Sequence, residues 1–362
     1  MNNKKQPNNP KTKSLKTRWN KLSKLTKIFI IAFIIIILLI LQAYALAYWY
    51  QKKHSNQPLT YGVTFIPRYA RYYDLDPKDT FLALRDDLGF KRFRLVSYWD
   101  EIEKQPGQYD FSELDWQFEK VNEVGGKVSL AIGLRQPRWP ECHAPSWVKA
   151  EDQDQWYPEL KNYMQAVLER YKDNPALDSY QLENEYFLGV FGECKHFGIE
   201  RERLIDEFAF VKAIDPNTPV IISLSNNYLG IPVGQPRPDQ FGVSVYKRVW
   251  DETITKRYFE YPFPSWWYTW RAALTEIFTG KDSMLHELQA EPWSPGGVKE
   301  ASLAEQDKSM NAQRLKERIE YGEATGFRDI DLWGGEWWYW RKTVKNDPSL
   351  WEAVRQETQG KL

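Results

Sequence analysis

Gln181-Leu182-Glu183-Asn184-Glu185-Tyr186 and Leu285-His286-Glu287-Leu288-Gln289-Ala290-Glu291-Pro292-Trp293 decide how this chain is read. Each looks like the end of a β-strand that carries a carboxylate into a site. Two carboxyl groups facing one another across a gap the size of a sugar ring are the least equipment that cleaves a glycosidic bond. The remaining question is whether the rest of the chain builds a scaffold that brings these two strand ends together.

Working outward, short apolar runs alternate with amphipathic ones from Leu59 to the end, the pattern of βα units on a parallel sheet. Strands are expected at 61–65, 92–96, 127–132, 177–183, 220–225, 241–245, 283–288 and 330–333. Helices are expected at 77–88, 113–124, 155–171, 200–213, 266–278, 303–324 and 347–357. The stretch 225–240 holds three prolines and two glycines and shows no helical pattern. Eight strands over about 300 residues predict an α/β fold, a (β/α)8 TIM barrel at 59–362, with an open doubly wound sheet as the alternative. There is no internal repeat and no second domain in the pattern.

In such a barrel chemistry sits at the C-terminal ends of the strands. Arg94, Arg135, Glu185, Asn226, Tyr246, Glu287 and Trp333 all fall there. Glu185, at the end of the fourth strand, suits a general acid, which needs burial or a second negative charge to hold its proton near neutral pH. Glu287, at the end of the seventh, suits a nucleophile, with Arg94 and Tyr246 as donors beside it. Glu183 points to the same side of its strand as Glu185; it reads as a deeper support that orients basic groups. Glu291 precedes Pro292 and belongs to the loop beyond the strand, so Glu287 is preferred over it as nucleophile.

The chain contains 17 Trp. Flat aromatic rings offer sugar CH faces area at little entropy cost. Most of these tryptophans are core and barrel–helix packing, and Trp333 is the one expected to line the site. Other chemistries lack their parts. His286-Glu287 begins like a zinc HExxH helix, but residue 290 is Ala. The histidines His54, His143, His196 and His286 show no metal spacing, and there is no P-loop, GxGxxG or GxSxG. No cofactor and no metal is expected, and His286 reads as a polar support beside Glu287.

Ile28 to Tyr50 is an uncharged run long enough to cross a bilayer. Nine basic residues crowd its N-terminal side: Lys4, Lys5, Lys11, Lys13, Lys16, Arg18, Lys21, Lys24 and Lys27. This asymmetry predicts a basic cytoplasmic tail at 1–27, a transmembrane signal-anchor at 28–50, a polar linker at 51–58 and an exported domain beyond. The alternative is a secreted protein cleaved near Ala47, since Ala45-Leu46-Ala47 resembles a cleavage site. Beyond His54 there are 38 basic against 49 acidic residues, which argues against a nucleic-acid partner. In an exported domain two cysteines outside any CxxC pair rather than bind metal. Cys142 and Cys194 each follow a motif strand, and a disulfide between them is expected.

Gln181-Leu182-Glu183-Asn184-Glu185-Tyr186 resembles the strand-four motif of family 35 and 42 β-galactosidases, within glycoside hydrolase clan A. Trp99-Asp100-Glu101-Ile102-Glu103 through Pro106-Gly107-Gln108-Tyr109-Asp110-Phe111, then Leu114-Asp115, is similar to the second-strand loop and helix of family 42. The resemblance covers most of residues 60–340. It implies Glu185 as acid/base, Glu287 as nucleophile touched by Tyr246, and Asn184 as donor to a sugar 2-hydroxyl. It also implies Arg94 as the clan's second-strand arginine and Trp333 as its eighth-strand tryptophan. The stretch after Glu287 departs from the β-galactosidase pattern, and no counterpart of their accessory domains is expected. The expectation is a membrane-anchored, extracytoplasmic retaining β-glycoside hydrolase acting on an oligo- or polysaccharide. Its alternatives are a non-catalytic polysaccharide-binding barrel of the cell envelope and a transglycosylase using the same glutamates. Sugar, linkage, exo or endo action and oligomeric state are not legible.

Overall fold

The computed structural model describes residues 19, 20, 22–189, 192–194 and 196–362. Of the nine basic residues before the apolar run, all but Lys24 and Lys27 lie outside the described residues. Eight strands close into a barrel: β1 Thr60–Thr64, β2 Arg92–Val96, β3 Lys127–Ile132, β4 Leu177–Leu182, β5 Val220–Leu224, β6 Gln240–Val245, β9 Ser283–Gln289 and β10 Asp329–Trp333. Every pairing around the ring is parallel, and β10 closes it against β1. This is the TIM barrel that the alternating pattern predicts. The open-sheet alternative is excluded by the β1–β10 ladder.

Twelve α-helices accompany the strands among the described residues. They are α1 Lys24–His54, α2 Pro67–Tyr72, α3 Pro77–Leu82, α4 Trp99–Ile102, α5 Ser112–Glu123, α6 Gln153–Tyr171, α7 Arg201–Ile214, α8 Ser265–Thr279, α9 Leu303–Ser309, α10 Ala312–Glu323, α11 Gly335–Thr343 and α12 Ser349–Thr358. The helix expected at 303–324 is two helices. Asn311 is extended and its Oδ1 caps the amide of Arg314 at 3.0 Å. A side chain that offers the backbone its own hydrogen bond starts a new helix rather than continuing the old one. The segment 225–240 has no helix.

Between β6 and α8 lies a hairpin the strand pattern did not show: β7 Arg248–Asp251 pairs antiparallel with β8 Arg257–Glu260. Its turn is organised by Asp251, whose carboxylate accepts from the amides of Thr253, Ile254 and Thr255. That Asx-type geometry supplies locally what the short strands lack.

The barrel interior is polar at its floor. Arg92 reaches Asp331 at 2.9 Å, and His286 meets Ser129 at 3.2 Å. Gly242 makes room there, since a Cβ at that position would stand 2.9 Å from the Cβ of His286. The register slips at His286: Val243 pairs with Leu285, but Ser244 pairs with Glu287. Such a bulge re-aims the residues that follow it, and here the next residue is Glu287.

Helix α1 differs from the expected span and linker. It runs unbroken through His54, so the polar residues 51–54 are its last turn, not linker. Those polar groups have partners far along the chain. Lys53 and His54 both meet Glu276 on α8, and Gln51 donates to the Ala324 carbonyl at 3.1 Å. Tyr50 is buried, donates to the Ser283 carbonyl at 3.1 Å and accepts from the Ser283 amide at 3.2 Å. Ala43 and Ala47 are buried as well, while most of the apolar residues before them are exposed. Among the described residues α1 is the helix long and apolar enough to cross a membrane.

Candidate active site

Arg94 is the hub of the barrel mouth. It is fully buried, and its guanidinium divides between β9 and the end of β4. Nη1 donates to Glu287 at 2.6 Å, Nε to Gln181 at 2.6 Å and Nη2 to Asn184 at 3.0 Å. A buried fork of this kind fixes orientation as well as charge. Glu287 receives a second donor from the Tyr246 hydroxyl at 2.8 Å. The nucleophile candidate is thus held from two sides by the residues expected beside it.

Glu185 lies just beyond the end of β4. Its backbone is left-handed, with φ of 43°, and that of Glu183 is too, at 54°. Non-glycine residues take this region at a cost of order 1–3 kcal/mol, and such strain gathers at functional sites. The curl lets Glu183 turn back under the β3 loop, where it accepts from the amides of Leu134 at 2.7 Å and Arg135 at 3.0 Å. It does act as a support, though for backbone amides first; Arg203 lies 3.5 Å away. The Glu185 amide donates to Ser223 at 2.8 Å. Burial raises the Glu185 carboxyl to about 7, and the neighbouring charge of Glu287 adds to this. Hydrogen bonds from Ser244 and Ser225 pull the other way. A carboxyl that keeps its proton near neutrality can donate it.

A third carboxyl enters from above. Glu141, on the loop after β3, is left-handed at φ 74° and accepts from Asn184 Nδ2 at 2.8 Å. Burial lifts its carboxyl to about 8; Arg135 opposes this, and Glu185 and Glu287 reinforce it. Arg135 is buried beside it, with its guanidinium Nε 3.6 Å from the Glu141 carboxylate and Nη1 donating to the Leu188 carbonyl. The same loop is tied to the loop after β4 by a disulfide, Cys142–Cys194, with Cα atoms 5.3 Å apart.

Trp333 does not present an open face. Its indole donates to Glu291 at 2.8 Å, and the Arg138 guanidinium lies 4.4 Å over its ring. Arg138 in turn meets Glu291 at 3.0 Å and stacks on Tyr69. Glu291 therefore belongs to a neighbouring arginine–tryptophan cluster rather than to the Glu185–Glu287 pair. Asn226 accepts from Tyr268 and is buried. Glu185 is only 6% exposed and Glu287 only 3%. The β3 loop roofs the mouth through Glu141, which accepts from Asn184.

Sequence reasoning thus placed Arg94, Asn184, Glu185, Tyr246 and Glu287 in one cluster, with Arg135 at its edge. It missed Glu141, Gln181, Ser223 and Arg138. The signal for Gln181 was available: it is the first residue of the strand-four motif and shares a face with Glu183. Glu141 carried no periodic signal. Among the described residues no group of three or more His, Cys, Asp or Glu side chains could hold a metal ion.

No protein-family model matches the chain, and no curated protein matches it in sequence. Many solved structures share its fold. A GH5_18 protein from Bifidobacterium longum subsp. infantis aligns with a TM-score of 0.55 at 15% identity, covering 76% of this chain and 69% of its own. Exo-β-1,4-mannosidase Op5Man5 from Opitutaceae bacterium strain TAV5 aligns at 0.53 and 15% identity, over 83% of this chain and 60% of its own. The β-galactosidase of Halorubrum lacusprofundi aligns at 0.51 and 13% identity, over 76% of this chain. The match spans only 52% of that enzyme's length. At such identities the likeness establishes the shared barrel.

Proposed function

We propose that the protein is a retaining β-glycoside hydrolase, anchored by α1 with its barrel outside the cytoplasm. Glu185 protonates the departing glycosidic oxygen while Glu287 attacks the anomeric carbon. Glu185 then takes a proton from water as that water displaces Glu287 and frees the sugar. Asn184 and Arg94 position the sugar and the nucleophile, and Tyr246 steadies Glu287.

The observation that carries this reading is the contrast between the two carboxyls. Glu185 has its pKa raised by burial and by its neighbour. Glu287 sits between a guanidinium and a phenol aimed at its two oxygens. A carboxyl that keeps its proton, facing a carboxylate held by two donors, supports an acid and a nucleophile. The buried contacts of Ala43, Ala47 and Tyr50 support an uncleaved anchor, since cleavage near Ala47 would strip part of a packed interface.

The test is a panel of aryl β-glycosides with the full-length protein, with product anomers read by NMR. Cleavage with retention is expected, and Glu185→Gln or Glu287→Gln should lower kcat by about 10²–10⁴-fold. Undiminished hydrolysis by both variants refutes the assignment.

One observation favours a second reading, a non-hydrolytic saccharide-binding barrel. Both carboxyls are nearly sealed, and Glu141 already occupies Asn184. Saccharide binding without product, unchanged in Glu287→Gln, would select it.

A further inference from the structure

The direction in which α1 leaves the barrel bears on what the site can reach. In a (β/α)8 barrel each helix runs back from the mouth to the floor. Helix α8 starts after the β7–β8 hairpin at the mouth and ends just before β9 starts at the floor. Helix α1 lies along α8 in the same sense. Tyr44 packs on Trp266 in the first turn of α8, with ring centroids 4.4 Å apart. Lys53 and His54 meet Glu276 in its last turn. Tyr50 holds Ser283, and the His54 carbonyl accepts from Arg328, both at the floor. The C-terminal end of α1 is therefore at the floor, and its apolar N-terminal part projects past the mouth.

The lengths agree with this placement. The uncharged run begins at Ile28, and about 20 helical residues at 1.5 Å each cross the hydrocarbon layer. A span starting there ends near Ala47, one turn beyond Tyr44. The first turn of α8, and the mouth loops level with it, then stand at the headgroups. Those loops also carry large apolar side chains that are exposed. Trp139 follows β3, Leu229 and Val233 follow β5, Ile254 and Phe259 lie in the β7–β8 hairpin, and Trp293 follows β9. Ile254, at the hairpin tip, is 86% exposed. The same hairpin exposes Glu252, Lys256 and Arg257, and a rim that mixes large apolar side chains with charges suits the interfacial layer, where acyl chains and headgroups meet.

We infer that the barrel stands mouth-down on the bilayer and that its substrate is the saccharide headgroup of a lipid in that same membrane. The substrate half of this statement rests on the hydrolase reading above; the orientation half does not. An enzyme and a lipid sharing one bilayer meet at high effective concentration. A helix packed firmly against α8 leaves the mouth little freedom to turn toward bulk solution.

The experiment uses the full chain in vesicles of phosphatidylcholine and phosphatidylglycerol. Spin labels are placed at Ile254→Cys, on the rim, and at Asp173→Cys, in the exposed turn before β4 on the floor. Accessibility to oxygen and to a water-soluble nickel chelate gives the depth of each. The expected result is a label at 254 in the headgroup layer and a label at 173 in water. Equal aqueous exposure of the two, or a deeper label at 173, overturns the orientation. The second arm compares a hexadecyl β-glycoside in the bilayer with the soluble aryl β-glycoside of the same sugar. Turnover of the lipid-borne sugar at least about tenfold faster at equal bulk concentration is expected. Cleavage of the soluble glycoside alone overturns the substrate class. If neither glycoside is cleaved while the labels report the expected depths, the hydrolase reading fails and the orientation stands.

Discussion

Replacing Glu185 by Gln tests the acid through stability rather than turnover. In the fold this carboxyl titrates near 7, against an ordinary value of 4.5. The native state therefore holds a proton that the unfolded chain gives up between those two values. Stability falls as pH rises through that window. The loss is absent below about pH 4, complete above about pH 8, and amounts to about 3 kcal/mol. Glutamine keeps the shape of the protonated acid and never ionises, so it escapes the loss. It also removes a negative charge that pushes up Glu141, an effect of the same sign. The assay is thermal unfolding of both proteins across pH 4–8. Their melting temperatures should coincide near pH 4 and separate by roughly 6 °C at pH 8, with the variant higher. A difference that does not change with pH would refute the claim that Glu185 is held protonated by its surroundings.

Further outcomes rest on the contacts of Arg94 and of Tyr50. Arg94→Ala leaves Glu287 buried without its cation and should destabilise the protein by about 3–5 kcal/mol at neutral pH. Adding Glu287→Gln to that chain should recover part of the loss, read from a double-mutant cycle of denaturant midpoints. Tyr50→Phe strips both hydrogen bonds from the Ser283 backbone and should cost about 1–3 kcal/mol; an unchanged melting temperature in the full-length chain would mean that α1 is not docked there.

The barrel was legible because strand and helix periods differ and because eight apolar runs alternate with amphipathic ones. The central cluster was legible for a related reason: Arg94, Glu185, Tyr246 and Glu287 lie at or just beyond the ends of strands, and closing the ring brings strand ends together. What escaped notice depends on contacts distant in the chain. Gln51, Lys53 and His54 have the composition of a linker, yet they extend a helix because Glu276 and the Ala324 carbonyl await them. Glu141 sits on a loop shaped by a disulfide and by Asn184, and neither influence leaves a period in the sequence. The β7–β8 hairpin has strands of four residues each, too short for alternation to stand out. Arg138 could not be placed over Trp333 without knowing that the β3 loop folds across the mouth.

The bond between Cys142 and Cys194 ties two loops that hydrogen bonds already seat. Asn184 holds the Glu141 carboxylate, and the Glu193 amide donates to the Pro140 carbonyl across the same pair of loops. The eight strands close through ladders of their own and do not depend on the two sulfurs. Reduction should therefore slacken the cover over the carboxyls while leaving the barrel closed, so that a thiol reagent acts on access to the cluster before it acts on the fold.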